Sequence, residues 1–312
     1  MANAAARPAP SIARVELSTA PMPLKSKYAP SDVTWFKSRS IKAGGRHSVR
    51  PARPADGGRN VRLFGLKIFD TTVCQAADWI VDRAIRGLGT QVSFLNAHCV
   101  NVMSRDHAYF DALDNSDRIF ADGSGVGLAA LAGGITLKEN VNGTDLFPVL
   151  CAAAAEAGVS MFLFGGQSGV GDRAAAHMAA AYGELSIAGT HHGFIKGKEE
   201  EDRLINWINA SGAEILLVGL GVPSQELWIT RNRHRLSPAV IIGVGGLFDY
   251  YSGRIARAPL FIRAFGCEWL WRLAMEPRRL AKRYLLGNIE FLARLARLRI
   301  FAPASFNQQF TT

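Results

Sequence analysis

The chemistry-bearing residues of this chain sit where apolar runs end. In Phe120-Ala121-Asp122-Gly123-Ser124-Gly125 a carboxylate closes an apolar run and two glycines open the next segment. A carboxylate so placed can act as a general base, bind a ribose hydroxyl, or cap the following helix. Val141-Asn142-Gly143-Thr144-Asp145-Leu146 is a turn into a helix whose polar groups, Asn142 and Asp145 among them, can cap that helix or face a ligand. Val218-Gly219-Leu220-Gly221-Val222-Pro223-Ser224-Gln225-Glu226 puts proline in a first helical turn, where its missing N–H is not needed. Glu226 is favoured there by the helix dipole, whereas Gln225 has no such reason, so both are read at the mouth of a crevice. Asp249 precedes Gly253-Arg254-x-x-Arg257, and arginine suits bidentate binding of a diphosphate. Glu268-Trp269-Leu270-Trp271-Arg272 and Glu276-Pro277-Arg278-Arg279 combine tryptophans and arginines, which fits phosphate capture beside a membrane and also an ordinary salt-bridged helix pair. Phe164-Gly165-Gly166 lacks GxGxxG spacing and reads as a tight strand–helix turn.

The elements that must position these residues alternate. Strand-length apolar runs occur at Val61–Phe69, Gln91–Leu95, Arg118–Ala121, Ser160–Phe164, Leu185–Ala188, Ile215–Leu220 and Val240–Val244. Amphipathic stretches lie near 71–88, 97–114, 124–133, 144–157, 169–183, 199–211 and 223–236. Such alternation predicts an α/β, Rossmann-like fold: a mostly parallel sheet with helices on both faces. Ligands of such sheets bind at the carboxyl ends of the strands, where the glycines fall. The 31 glycines and 13 prolines of the 312 residues are near average in sum, so the chain is not of low complexity.

Charge divides the chain. Residues 1–60 hold 11 Lys/Arg against 3 Asp/Glu, residues 61–252 hold 14 against 20, and residues 253–312 hold 11 against 3. Residues 1–60 therefore read as a disordered basic tail, 61–252 as the α/β domain, and 253–312 as a basic, aromatic-bearing helical appendage of the kind that lies on a membrane. Basic ends around an acidic body suit an anionic membrane surface, and no nucleic acid is expected as partner. Four widely spaced cysteines argue against a zinc site or disulfide framework and for a reducing compartment. No run of 18 apolar residues predicts a transmembrane helix, and Arg7, Arg14 and several prolines stand where a secretory signal would need apolar residues.

Singly these signals are modest, but their order is specific. The series Ala-Asp-Gly, Asn-Gly-x-Asp-Leu, Phe-Gly-Gly, Gly-Leu-Gly-x-Pro-x-Gln-Glu, Gly-Val-Gly-Gly-x-Phe-Asp, Arg-Ala-Pro and Glu-Trp-Leu-x-Arg-Leu-x-x-Glu-Pro-x-Arg resembles the WecG/TagA/CpsF family of bacterial glycosyltransferases, over roughly residues 61–295. The resemblance implies inverting, metal-independent transfer of a hexose or N-acetylhexosamine-type sugar from a UDP-sugar, with no cofactor. The acceptor would be a sugar on undecaprenyl diphosphate, in exopolysaccharide, capsule or cell-wall polymer synthesis. It further implies a peripheral protein on the inner face of the plasma membrane, and dimers or trimers in solution or a monomer at the membrane.

Carried over residue by residue, the resemblance makes Asp122 the catalytic base and places Asn96 and Gln225 at the substrate. Arg254, Arg257 and Arg272 become candidates for the diphosphate of donor or acceptor. Within Asn96-Ala97-His98-x-x-Asn101, His98 and Asn101 offer further hydroxyl-binding groups, although His98 equally suits a packed, uncharged core position. Two departures bear on the sugar. Phe94 stands where many members have threonine, and Asn140 where many have arginine, which opens donors other than N-acetylmannosamine. Asp122, Asn96 and Gln225 are expected to converge in one pocket. A nicotinamide-dependent oxidoreductase is excluded because Asp70-Thr71-Thr72 follows the first run in place of a glycine fingerprint. A non-catalytic nucleotide-sugar-binding or membrane-adaptor protein on the same fold remains the alternative.

Overall fold

The computed structural model describes residues 57–301. Two strands, β1 (Arg59–Leu63) and β2 (Leu66–Asp70), form an antiparallel hairpin. The single strand expected over Val61–Phe69 is therefore split, and the expected tail boundary at residue 60 falls inside β1. The split comes from Phe64 and Gly65, which both take positive φ (56° and 82°), the geometry of a two-residue hairpin turn. Residues 1–56 and 302–312, which include nearly all of the expected basic tail, lie outside the described residues.

Six parallel strands make the main sheet: β3 (Thr90–Leu95), β4 (Arg118–Ala121), β5 (Met161–Gly165), β6 (Ile187–His191), β7 (Ile215–Gly219) and β8 (Val240–Gly243). Their spatial order is β4-β3-β8-β7-β5-β6. Every residue of β3, β5, β7 and β8 is buried; β5, β7 and β8 accordingly read as continuous apolar runs, whereas β3 takes Thr90, Gln91 and Ser93 inside, paired with the Leu88 carbonyl, the Ala112 carbonyl and the Ser116 hydroxyl.

The helices of the body are α1 (Val73–Ile85), α2 (Ala97–Met103), α3 (His107–Asp114), α4 (Ser124–Ala132), α5 (Gly143–Ala157), α6 (Val170–Ala181), α7 (Gly197–Ala210) and α8 (Ser224–Asn232). The single helix expected over 97–114 is two, because Asp106 stops the run and caps α3 by accepting the Tyr109 N–H at 3.1 Å. One apolar core, including Phe147, Leu163, Leu217 and Ile242, lies under α1, α5 and α6. Another joins the hairpin to α2, α3 and α4 through Leu63, Ile68, Tyr109 and Val126. A third packs α7 and α8 on the sheet through Ile205, Ile208 and Trp228.

After β8 the chain is helical: α9 (Leu247–Tyr251), α10 (Leu260–Ala264), α11 (Glu268–Met275), α12 (Pro277–Ala281), a π-helical turn (Lys282–Leu286) and α13 (Gly287–Phe301). The last of these is more than an appendage. Phe291 and Leu295 of α13 are buried in the hairpin core, with the Phe291 ring 5.8 Å from that of Phe64. All four cysteines are free thiols.

Candidate active site

The carboxyl ends of β3 and β4 bring together the first two expected site residues. The Asp122 N–H donates to the Leu95 carbonyl at 2.8 Å, extending the β3–β4 ladder by one residue. Asn96, just past β3, caps α2 by accepting the Cys99 N–H at 3.1 Å. Its remaining group, Nδ2, donates to Asp122 Oδ2 at 3.0 Å. The capping role open to Asp122 is not used, because Gly123 at φ 87° is the N-cap of α4 and no side chain caps that helix. Burial pushes the Asp122 carboxyl above the ordinary carboxylate range, against the Asn96 amide and the positive charges of Arg283 and Arg272. Asn140 also reaches this turn, accepting the Gly123 N–H at 2.6 Å.

Beside Asp122 stands a knot of charge. Asn142 caps α5 through the Asp145 N–H at 2.8 Å and holds Asp145 Oδ2 by its own amide at 2.7 Å. Asp145 Oδ1 accepts from Arg257, and Arg263 lies 3.6 Å from the same oxygen. Arg257 Nε in turn faces Glu268 at 3.7 Å. Burial raises the Glu268 carboxyl, with Arg257 pulling it back down and Asp145 and Asp122 adding to the rise. Arg272 lies over the Tyr250 ring, 4.9 Å from its centre, with its positive end toward Asp122.

A cleft of about 290 Å³ opens over the ends of β5, β7 and β8. Its floor is glycine backbone, Gly219 and Gly245 among it: a Cβ on Gly219 would lie 2.8 Å from the Gly245 carbonyl oxygen, so no side chain fits between the strand ends. One wall carries Phe194 and Gln167, the other Asp249, Arg254 and Arg279. Arg254 donates to Asp249 at 2.7 Å and lies 3.6 Å from Glu276, which also accepts from Arg279 Nε at 3.0 Å. Two of the basic groups at this wall are thus already held in place by carboxylates.

Gln225 does not join Asp122 and Asn96 in an open pocket. It is 3% exposed, and its Oε1 accepts both the Gly245 N–H at 2.8 Å and the Gly221 N–H at 3.2 Å, while Nε2 donates to Glu226 at 2.8 Å. Both glycines line the cleft, so Gln225 shapes it from behind. Glu226, expected at the mouth of the crevice, is fully buried, and burial pushes its carboxyl up to about 7. The Val222-Pro223 bond just before α8 is cis. Asn101 is also internal, donating to the Gly287 carbonyl at 2.7 Å and so tying α2 to α13. His98 is half-buried in the first turn of α2, and burial, with the nearby Arg283, pushes it down to about 4.

Arg263 and Arg283 also stand near this charged cluster without having been named as candidates, while Glu268 and Arg279 fall in the blocks read from sequence as suited to phosphate capture. For Arg263 and Arg283 the only signal was the density of arginine in the C-terminal helices, where solvated arginines are the ordinary case. For a metal, the one set of side chains among the described residues that converges is His191, His192 and Glu200, with ligand atoms within 4.8 Å of one another. It lies at and beyond the end of β6, at the opposite edge of the sheet from Asp122 past β4.

Residues 61–304 match the model of the glycosyl transferase WecG/TagA/CpsF family. Among curated relatives, an N-acetylglucosaminyldiphosphoundecaprenol N-acetyl-beta-D-mannosaminyltransferase of Bacillus subtilis (strain 168) is 30% identical over 192 residues, 62% of this chain and 74% of the relative. An enzyme of the same name from Bacillus spizizenii is 33% identical over 171 residues, 55% of this chain and 65% of its own length.

Proposed function

Given that this chain belongs to the glycosyl transferase WecG/TagA/CpsF family, we propose that it transfers a hexose or N-acetylhexosamine-type sugar from a UDP-sugar to a sugar carried on undecaprenyl diphosphate, at the inner surface of the plasma membrane, in the synthesis of an exopolysaccharide, capsule or cell-wall polymer. The observation that carries the reading is the Asn96–Asp122 pair at the carboxyl edge of the sheet, beside a glycine-floored cleft with arginines on its wall.

In this mechanism the acceptor hydroxyl attacks the anomeric carbon from the face opposite UDP. Asp122 takes the hydroxyl proton as the new C–O bond forms, and the C–O bond to UDP breaks with its electron pair leaving on the diphosphate. The configuration inverts. A carboxyl raised by burial is a stronger base than one in water, and Asn96 keeps it ionised and aimed. Charge on the departing diphosphate is met by Arg254, Arg272 and Arg279, fixed guanidiniums that need no reorganisation as charge develops. This assignment asks for no metal ion.

The test offers labelled UDP-glucose, UDP-N-acetylmannosamine and UDP-N-acetylmannosaminuronate with a polyprenyl-diphosphate-linked sugar acceptor. Transfer from one donor that collapses in Asp122→Asn supports the reading. A folded protein that transfers none of them to several acceptors overturns it.

A further inference from the structure

Helix α4 begins two residues after Asp122 and carries no charge. From Gly123 to Leu137 the chain has no Asp, Glu, Lys or Arg at all. One face of α4 is core, with Val126, Ala129 and Ala130 buried. The opposite stripe is Ser124, Leu128 and Leu131, spaced i, i+4, i+7, and its leucines are 50% and 63% exposed. An amphipathic surface helix would put charge there.

The stripe has apolar neighbours at both ends. At its start Ser124 Oγ donates to the Gly266 carbonyl at 3.1 Å, next to Phe265, which is 81% exposed. At its end the Ala132 carbonyl accepts from Arg299 of α13 at 2.7 Å, next to the exposed Ile300. Along the helix, α13 lies against α4 through Phe291 and Gly125, and turns Ile289 and Leu292 outward. Exposed basic side chains, Arg278, Lys282, Arg297 and Arg299, stand on the same C-terminal helices.

We propose that α4 of the catalytic body is itself a membrane-docking element, with Leu128 and Leu131 entering the interface of an anionic bilayer alongside Phe265 and the outer face of α13. Apolar side chains bordered by arginine and lysine are the chemistry that recognises such a surface, and no described helix is long and apolar enough to cross it. The docking would hold the Asp122 edge of the sheet at the height of a lipid diphosphate. The proposal rests on the reading of the acceptor as lipid-linked.

The full chain and Leu128→Gln/Leu131→Gln are sedimented with phosphatidylcholine vesicles containing a minority of phosphatidylglycerol. Ile85→Gln, at another exposed aliphatic, is the control. The double variant is expected to partition about ten-fold more weakly or worse, with the control unchanged, since two leucine side chains leave the interface. Its circular dichroism, and its turnover of a water-soluble short-chain acceptor, should match the parent. Parent-like vesicle binding by a folded double variant overturns the proposal, as does failure of the parent to bind. A change in oligomeric mass by light scattering with unchanged vesicle binding also overturns it, and assigns the stripe to a second copy of the chain. Weakened binding together with no transfer from any donor sinks the transferase reading and leaves the docking element standing.

Discussion

Asn96 Nδ2 lies 3.0 Å from Asp122 Oδ2, while the other end of the same amide is committed to the first turn of α2. The amide cannot flip without uncapping the helix, so the donor always faces the carboxylate. Asp122→Asn should lower kcat by roughly two to four powers of ten with little change in donor KM, the range for loss of a general base. Asn96→Ala should lower kcat less and also move the pH profile. The base works ionised, so rate rises with pH through its pKa. Burial already raises that pKa and the Asn96 hydrogen bond lowers it. Removing the bond therefore shifts the acid limb to higher pH, and an unmoved limb would mean that Asn96 only caps α2.

Gln225 accepts two glycine N–H groups from different strand-end loops, after β7 and after β8. Gln225→Ala takes the shared acceptor from both donors, at a cost of about 2 kcal/mol. The loops form the cleft floor, so donor KM should rise more than kcat falls. A kcat loss matching that of Asp122→Asn would instead put Gln225 on the reacting atoms.

Glu226 gives a pH signature. Its folded carboxyl titrates at about 7 against an ordinary 4.5, because burial disfavours the charge. The folded state therefore holds a proton that the unfolded state has released between those values, and stability falls as pH rises through that window. Glu226→Gln keeps the acceptor for Gln225 Nε2 and removes the charge. It should be near neutral below pH 4.5 and stabilising above pH 7, by up to about 3 kcal/mol. Urea melts of both proteins across that range would check it, and an equal difference at both ends would show that Glu226 is not neutralised by the fold.

What the sequence disclosed follows from what each residue's neighbours in the chain decide. Buried parallel strands such as β5, β7 and β8 announce themselves as apolar runs, and Arg118–Ala121 coincides with β4 to the residue. Asp122 and Asn96 came from the family resemblance, and the adjacency of β3 and β4 is what sets their ends side by side. Gln225 was misplaced because the turn over residues 221–223 decides which way the side chains at the start of α8 face, and a Gln-Glu pair at a helix start looks polar either way. The hairpin at Phe64-Gly65 was hidden by a non-glycine residue at positive φ. The Asp145 partner of Arg257 depends on how the C-terminal segment folds back across more than a hundred residues, and no local pattern encodes that.

That long-range pair sets the last prediction. Asp145 and Arg257 join the start of α5 to the segment before α10, and their side chains are only 17% and 12% exposed. Asp145→Ala leaves Arg257 beside Arg263, two cations facing the gap the carboxylate filled, with Glu268 still near Arg257. The single change should cost on the order of 3 kcal/mol, the low end for breaking a buried pair because some solvent reaches it. Removing the second charge as well, in Asp145→Ala/Arg257→Met, should return part of that loss, since the unpaired cation carries most of the penalty. Thermal melts of the two singles and the double close the cycle, and simple additivity would show that the pair is decorative. Activity should not return with stability, because the double variant lacks the guanidinium that steadies Glu268 in the field of Asp122.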